Sequence, residues 1–305
     1  SLLRVASKAQ RPFSKGGPTI RHLPMFLSGL TEGRSLPTIA DVPFRDVIKN
    51  MKQEVKNPKG TVAFFGGCLV DFVYPKIGEG VVKVLNEKGY KVIFPEGQSC
   101  CGAPASYMGD RQNARKSAIM NIEAMNAENV DYVVSACPTC THALVESYKE
   151  LLADDPAMLK RAEELSKKSM DFAKLLTILG GLEKGGDGVP LKVTYHDSCH
   201  LRRKMGLIAE PRNIISNIKG VEFVEMNESD RCCGFAGSYS IKFPEMSGPI
   251  LQRKLKNIEA TGADVVAVDC PGCLMQINGG ADQAGLNIKV KHTAELLLEK
   301  HLNAK

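Results

Sequence analysis

Two cysteines stand side by side in the segment GQSCCGAP, at Cys100 and Cys101, and a glycine follows them. Neighbouring side chains on an extended chain point to opposite sides, so one metal ion is poorly placed to bind both thiolates. A polynuclear iron–sulfur cluster presents several irons at separate positions, and thiolates are its usual ligands. The cysteine pair therefore favours an iron–sulfur cluster, provided that the rest of the chain supplies further thiols.

The ten cysteines of the chain form two matching sets of five. Each set contains Cys-Cys-Gly and ends in Cys-Pro-x-Cys, and Cys232 follows Cys100 by 132 residues. The first set is Cys68, Cys100, Cys101, Cys137 and Cys140, and the second is Cys199, Cys232, Cys233, Cys270 and Cys273. No cysteine is left over, so we predict an internal duplication of the chain.

The segments before the cysteines are apolar and rich in β-branched residues, which predicts buried parallel strands. In the first half they are GTVAFFGGC, KVIFPEGQSCCG and VDYVVSACPTC, and in the second LKVTYHDSC, VEFVEMNESDRCCG and ADVVAVDCPGC. Helical patterns cover 75–89, 113–127, 210–220 and 245–262, and closing helices begin at Asp171 and His292. This alternation predicts an α/β protein with two tandem, similar Rossmann-like domains and parallel sheets.

The cysteines occupy the C-terminal ends of the predicted strands, where open α/β sheets bind their ligands. We therefore expect each set of five to converge in a pocket of its own. The expected domains are a first domain at 59–183 and a second at 184–305, preceded by a basic N-terminal extension or linker at 1–58. The first forty residues, basic and rich in Ser and Pro, have the composition of a transit peptide as well as of a linker. Because the chain begins with Ser, we favour a linker or a fragment of a longer protein.

The composition, 43% hydrophobic and 24% charged, is typical of a globular protein with a sizeable core. The sequence has no apolar segment of 18 residues, so we predict no transmembrane helix. The net charge is +6, but the basic residues are spread along the chain and are not interleaved with aromatic residues. We therefore predict no nucleic-acid partner. Disulfide frameworks belong to small secreted domains, so reduced thiols in the cytoplasm are expected here.

Two other interpretations of the cysteines stay open at this point. Each Cys-Pro-x-Cys could be a thioredoxin-like redox pair, and one half could hold a four-cysteine zinc site with a spare thiol. His196 and His200 flank Cys199 and are candidates for a supporting or proton-donating function. Arg202, Arg203 and Lys204 follow as a basic cluster that could offset cluster charge, contact an acidic partner or be a solvated helix end.

The two sets, with CCGAP, CCGFAG, CPTC and CPGC, resemble the cysteine-rich CCG domain family over residues 59–305. That family includes the catalytic subunit of heterodisulfide reductase and the iron–sulfur subunits of glycolate oxidase and anaerobic glycerol-3-phosphate dehydrogenase. The resemblance to the heterodisulfide reductase branch implies noncubane [4Fe–4S] clusters, one held by each set of five, hence up to two. YHDSCHLRRKMGLIAEPRNII, CCGFAGSYSIKFPEMSGPIL and HTAELLLEK are most similar to the family's lactate-utilisation branch.

The resemblance implies an iron–sulfur electron-transfer subunit of a system that oxidises lactate or another 2-hydroxy acid. Its expected partners are a dehydrogenase subunit and a ferredoxin-like iron–sulfur protein or domain. The segment LPMFLSGLTEGRSLPTIADVPFRD of this chain resembles the tail that follows the ferredoxin-like domain of such a partner. Electrons would continue to quinone or another carrier, in the cytoplasm or at the inner face of the membrane through partners. The alternatives are a heterodisulfide-reductase-like subunit that reduces a disulfide, and a zinc-stabilised interaction module.

Overall fold

The computed structural model describes residues 2–14, 17–23, 28, 31, 33–126, 129–183 and 190–302. Residue 184, the expected start of the second domain, and several residues of the tail-like segment 23–46 lie outside these ranges. The N-terminal extension contains α1 Leu2–Ala9, α2 Arg11–Ser14, β1 Thr19–Ile20, β2 Leu36–Pro37 and α3 Phe44–Asn50, with β1 and β2 paired antiparallel.

Each half repeats one order of strands and helices. The first half consists of β3 Gly60–Phe65, α4 Gly67–Phe72, α5 Pro75–Glu87, β4 Tyr90–Ile93, α6 Ala103–Tyr107, α7 Arg111–Asn126, β5 Tyr132–Ser135, α8 Pro138–His142, a π-helical turn Ala143–Ser147, α9 Tyr148–Leu151, α10 Pro156–Lys168, β6 Ser169–Asp171 and α11 Phe172–Ile178. The second half consists of β7 Leu191–His196, a π-helical turn His200–Lys204, α12 Ala209–Ser216, β8 Val221–Phe223, α13 Tyr239–Lys242, α14 Pro244–Glu259, β9 Val265–Val268, α15 Pro271–Gln283, β10 Lys289–His292, α16 Thr293–Leu297 and a π-helical turn Leu298–Leu302.

The strands form two four-stranded sheets that are parallel throughout and share one order. The first sheet runs β4-β3-β5-β6 and the second β8-β7-β9-β10. The predicted α/β class, the parallel sheets and the duplication are therefore confirmed. The fourth strand of each half, β6 and β10, was not predicted, because each has only three or four residues and runs directly into the closing helix.

Alternate residues of β3 enter two different hydrophobic cores, because successive side chains of a strand point to opposite faces. Val62 and Phe64 belong to a core that is continuous with the second half. Ala63 and Phe65 belong to a core made by the first half alone, and this core also contains Cys101. Both faces of the sheet are thus buried, which explains the nearly continuous apolar sequence of the strand.

The two halves are joined by a reciprocal exchange of helix contacts. The closing helix α16 of the second half contacts α5 of the first, and the closing helix α11 of the first contacts α12 of the second. The side chains of Asp171 and His292 cap these closing helices by accepting hydrogen bonds from the backbone N–H of Ala173 and Ala294. His292 also brings its Nε2 within 3.0 Å of the carbonyl oxygen of Ala136 in the first half.

The N-terminal extension contacts both halves. Phe44 is completely buried and meets Phe64 edge to face, with the ring centroids 5.4 Å apart. On the other side, Arg34 donates to the Ser240 hydroxyl at 2.8 Å, and the backbone N–H of Ser35 donates to the Gly279 carbonyl. Among the described residues, no helix combines the length and the apolar composition needed to cross a bilayer.

The contact between α5 and α16 depends on a glycine, which generates a prediction. A Cβ built on Gly80 would overlap the carbonyl oxygen of Ala294. Gly80→Ala should lower the free energy of unfolding by roughly 1–3 kcal/mol, the usual cost of overpacking, which exceeds the gain in helix propensity. The measurement is urea unfolding of the full chain.

Gly248→Ala is the matched control, since Gly248 also lies in a helix but nothing stands within 4 Å of its Cβ position. Because Ala gains helix propensity but a residue before a proline, here Pro249, is disfavoured in the helical conformation, stability should change by less than about 1 kcal/mol. Equal effects from the two substitutions would contradict a close helix contact at Gly80.

Candidate metal centre

All ten cysteines line one cavity of about 400 Å³ between the two halves. They are free thiols, and six of them are buried. Cys68 is exposed, and Cys100, Cys199 and Cys232 are partly exposed. We expected a separate pocket for each set of five. The structure instead turns the C-terminal edges of the two sheets toward each other, so the two sets share one space.

The Cys-Pro-x-Cys segments begin helices and do not form turns that merely end strands. Cys137 and Cys270 are the N-cap residues of α8 and α15, and the prolines occupy the first helical position. Proline suits that position because its missing N–H would have no intrahelical partner there. The helix start then places Cys140 and Cys273 one turn later, so that both sulfurs of each segment reach the cavity.

The Cys-Cys-Gly segments need their glycines. Gly102 and Gly234 have φ angles of +82° and +87°, a left-handed conformation that other residues adopt only with strain. A Cβ on Gly234 would also lie 2.8 Å from the carbonyl oxygen of Ser247. The Gly234 backbone N–H donates to the Cys232 sulfur at 3.3 Å. The glycine therefore sets the direction of the chain and supplies a hydrogen bond to a thiol.

The ten sulfurs interact as one unbroken series that crosses from the first half to the second. Cys137 interacts electrostatically with Cys270 at the centre of the series, and each of the other thiols interacts with its neighbours in the same half. Cys233 and Cys273, for example, have their sulfurs 3.3 Å apart. The full order is Cys68, Cys100, Cys101, Cys140, Cys137, Cys270, Cys273, Cys233, Cys232 and Cys199.

This arrangement spreads the thiol pKa values far apart. Hydrogen bonds from Cys101 and Cys68 lower the pKa of Cys100 to about 3, and those from Cys199 and Cys233 lower the pKa of Cys232 to about 2. Bonds from Cys137 and Cys273 lower the pKa of Cys270. Hydrogen bonds to neighbouring sulfurs and burial raise the pKa of the other seven: Cys68, Cys101, Cys137, Cys140, Cys199, Cys233 and Cys273.

A polynuclear metal group fits this donor set. Buried thiolates in contact repel one another, so the protein alone supports only separated thiolates, whereas metal cations stabilise all of them together. The backbone also leaves room at the sulfurs, since Gly67 has φ +63° and a Cβ there would lie 2.7 Å from the Cys140 sulfur. The quintets predicted as ligands are therefore placed where a shared cofactor could reach them.

His196 lies beside the second set, at the end of β7. It is completely buried, and neither ring nitrogen has a hydrogen-bond partner among the described residues. Burial, followed by the nearby Lys254, lowers its pKa to about 4. One ring nitrogen of His196 and the sulfurs of Cys233 and Cys273 all lie within 4.8 Å of one another. The sequence placed this histidine next to Cys199, but not against this cysteine pair.

His200 lines the mouth of the shared cavity. Its Nε2 lies 3.1 Å from the hydroxyl of Tyr107, and the two rings stack. Its Nδ1 lies 3.4 Å from the hydroxyl of Thr139. Tyr107 and Thr139 belong to the first half, so this cluster links the two halves at the wall of the cavity. Sequence analysis singled out His200 but missed Tyr107, whose only signal was its distance of six residues from Cys101.

A buried carboxylate anchors the loop that carries Cys199. Asp197 is 1% exposed and accepts hydrogen bonds from Arg212 at 2.7 and 2.9 Å and from Arg202 at 3.1 Å. Arg202 of the basic cluster is thus a structural partner of Asp197. Arg203 and Lys204 are exposed to solvent.

Fold and site together define a duplicated α/β protein with a polythiol centre between its halves. A profile of the family described as "CCG: Cysteine-rich domain" matches residues 62–145 and 193–278. The chain belongs to the CCG cysteine-rich domain family.

Two curated relatives cover most of the chain. A "Lactate utilization protein A" of Shouchella clausii is 40% identical over 240 residues, which are 78% of this chain and 99% of that protein. A "Probable glycolate oxidase iron-sulfur subunit" of Bacillus subtilis is 40% identical over 249 residues, 79% of this chain and 55% of that protein. A crystal structure of a hypothetical protein from Helicobacter pylori shares the fold, with a TM-score of 0.57 and 13% identity over 84% of this chain and 53% of that one.

The Asp197 anchor generates a second prediction. Arg212→Ala should cost about 3–5 kcal/mol of unfolding free energy, because it leaves a buried carboxylate with most of its hydrogen bonds lost. The measurement is chemical unfolding of the full chain at neutral pH.

Arg253→Ala is the control, because its guanidinium, whose side chain is 61% exposed, binds Glu228 at the surface. An exposed pair of this kind contributes about 0.2–1 kcal/mol. A loss at Arg212 as small as that at Arg253 would show that Asp197 is not held mainly by this arginine.

Proposed function

We propose that this chain is an iron–sulfur electron-transfer subunit of a system that oxidises lactate or a related 2-hydroxy acid. The observation that carries the proposal is the gathering of ten sulfurs in one cavity, where Cys137 and Cys270 interact electrostatically across the halves. The names of the relatives from Shouchella clausii and Bacillus subtilis supply the substrate class.

In this proposal the two quintets are the cofactor ligands. Cys68, Cys100, Cys101, Cys137 and Cys140 would hold one iron–sulfur group, and Cys199, Cys232, Cys233, Cys270 and Cys273 a second, with [4Fe–4S] the expected type. When bound, such groups supply one-electron redox chemistry. The protein's own contribution is to bury most of the thiols and to donate a hydrogen bond from Gly234 to Cys232, which favours the reduced state.

The sharing of one cavity gives electrons a short route between the halves. The thiols of Cys137 and Cys270 interact electrostatically across the halves, and both line the shared cavity. An electron that arrives at one half thus reaches the other without leaving the cavity. The partner dehydrogenase would carry the hydroxy acid site, and a ferredoxin-like iron–sulfur protein or domain would be a further partner.

The test begins with anaerobic purification of the full chain and analysis of iron, acid-labile sulfide and zinc. We expect about four irons and a matching amount of sulfide for each quintet, with an EPR signal on reduction. Zinc without sulfide would contradict the proposal and favour the zinc-stabilised interaction module.

Cys101→Ser should abolish or change the EPR signal of the first half and leave that of the second. The reason is that a serine oxygen replaces one thiolate of the first quintet only. Cys233→Ser, its counterpart in the second half, should do the reverse. Identical spectra for wild type and Cys101→Ser would exclude Cys101 as a ligand.

The electron-transfer step is tested with the partner. Lactate alone should leave the iron–sulfur absorption of the oxidised chain unchanged, whereas lactate plus the dehydrogenase subunit should bleach it. Bleaching by lactate alone would place a hydroxy acid site on this chain and contradict its function as an electron carrier only.

One observation favours a second candidate, a disulfide-reducing subunit. Both quintets face one space whose mouth carries His200 and Tyr107. Reduction of a disulfide there needs two electrons and two protons and yields two thiols. The check is release of thiol from cystamine by the dithionite-reduced, iron-loaded chain above the rate of dithionite alone; no release would exclude this candidate.

A further inference from the structure

The two halves differ at the position that faces the inner cysteine pair. In the first half, the last residue of β3 is Phe65, which belongs to the same core as Cys101 and Cys140. In the second half, the last residue of β7 is His196, which lies against Cys233 and Cys273. The duplicated scaffold thus places a phenyl ring beside one pair of sulfurs and an imidazole beside the other.

The imidazole is buried without compensation. His196 is 0% exposed, and among the described residues neither Nδ1 nor Nε2 finds a hydrogen-bond partner. A buried polar atom without a partner is costly, and nearly all such atoms in folded proteins are paired. A phenylalanine, as in the first half, would avoid this cost. The histidine therefore calls for a partner that the described residues do not provide.

The surroundings of His196 identify the chemistry of that partner. One ring nitrogen and the sulfurs of Cys233 and Cys273 all lie within 4.8 Å of one another. Three ligands of a tetrahedral metal ion with metal–sulfur and metal–nitrogen bonds of about 2.3 and 2.1 Å stand roughly 3.5–4 Å apart. The sulfurs of Cys233 and Cys273 already lie 3.3 Å apart, so the spacing of the set is close to that of a ligand shell. Imidazole and thiolate are both good ligands of iron, zinc and cobalt.

We propose that His196 is a nitrogen ligand of the metal centre of the second half, together with Cys233 and Cys273. The first half binds through sulfur alone, and the second through sulfur and one imidazole. That the metal belongs to an iron–sulfur group rests on the proposed function, whereas the His–Cys–Cys set itself also accepts a single divalent cation. Iron–sulfur centres with imidazole ligands have higher reduction potentials than all-thiolate centres, so the second half is the electron-accepting end.

The first test uses pulsed EPR of the full chain, loaded anaerobically with iron and sulfide and then reduced. We expect nitrogen hyperfine coupling of the strength found for directly coordinated imidazole. His196→Phe, which copies the first half, should abolish this coupling and keep the signal of the first half. Phe65→His is the matched control and should leave the coupling from His196 in place. A wild-type spectrum without coordinated nitrogen overturns the proposal.

The second test separates this proposal from the iron–sulfur assignment. The metal-free, reduced chain is titrated with Co²⁺, and tetrahedral cobalt–thiolate absorption is recorded. His196→Phe and His196→Gln should each weaken Co²⁺ binding at one site by about 10–100-fold, since loss of even an outer-sphere partner has an effect of that size. If the chain takes up no iron and sulfide but this difference appears, the proposed function fails and the His196 site stands.

Thermal unfolding of the metal-free chain distinguishes a ligand from a structural histidine. His196→Phe removes two unpaired buried nitrogens, so its melting temperature without metal should be higher than that of wild type. If His196 is a ligand, His196→Phe should therefore raise the stability of the metal-free chain and weaken its metal binding. Lower stability together with unchanged Co²⁺ binding overturns the proposal.

Discussion

Ten sulfurs that line one mostly buried cavity repel one another strongly when they carry negative charge together. The lowered pKa values fall at Cys100, Cys270 and Cys232, which are separated along the series by thiols whose pKa is raised. Each thiol of lowered pKa thus lies between thiols of raised pKa. Because cations stabilise neighbouring thiolates together, metal binding at such a site would be coupled to proton release. A bound metal group would complete the charge balance of these thiols.

The rest of the fold serves to bring these sulfurs together. A single open α/β sheet collects ligands at its C-terminal edge, but only five thiols reach that edge in each half. The reciprocal contacts of α16 with α5 and of α11 with α12 turn the two edges face to face. The hydrogen-bonding contact between His292 and the carbonyl of Ala136 secures the same junction directly before Cys137. Both quintets therefore depend on the interface between the halves, although each is encoded by its own half.

Local sequence patterns were sufficient for the repeated elements, and long-range contacts were not visible in them. The strands before Cys68 and Cys199 and the helices α5, α7, α12 and α14 follow from apolar periodicity and from the repeated cysteine spacing. The meeting of Cys137 with Cys270 depends on the orientation of two sheets, which no local signal encodes. The same holds for Arg34 and Phe44, because their partners are brought near only by the folded chain.

The duplication preserved the ten cysteines and changed their surroundings. Gly102 faces Ala114 and Ser117, and Gly234 faces Ser247 and Ile250. Ser247 and Ile250 follow Ala114 and Ser117 by 133 residues, and by the same spacing Lys254 occupies the position in the second half that corresponds to Asn121 in the first.

Asn121 is neutral, whereas Lys254 is a buried cation that donates to the carbonyls of Glu228 and Ser229 at 2.7 and 3.1 Å and interacts electrostatically with Cys233. A positive charge held near sulfurs lowers the energy of added negative charge on them. With His196 in place of a phenyl ring, the second half therefore offers an electron a different environment behind the same five thiols. Two sites that share one scaffold can in this way differ in potential, which gives electron flow between them a direction.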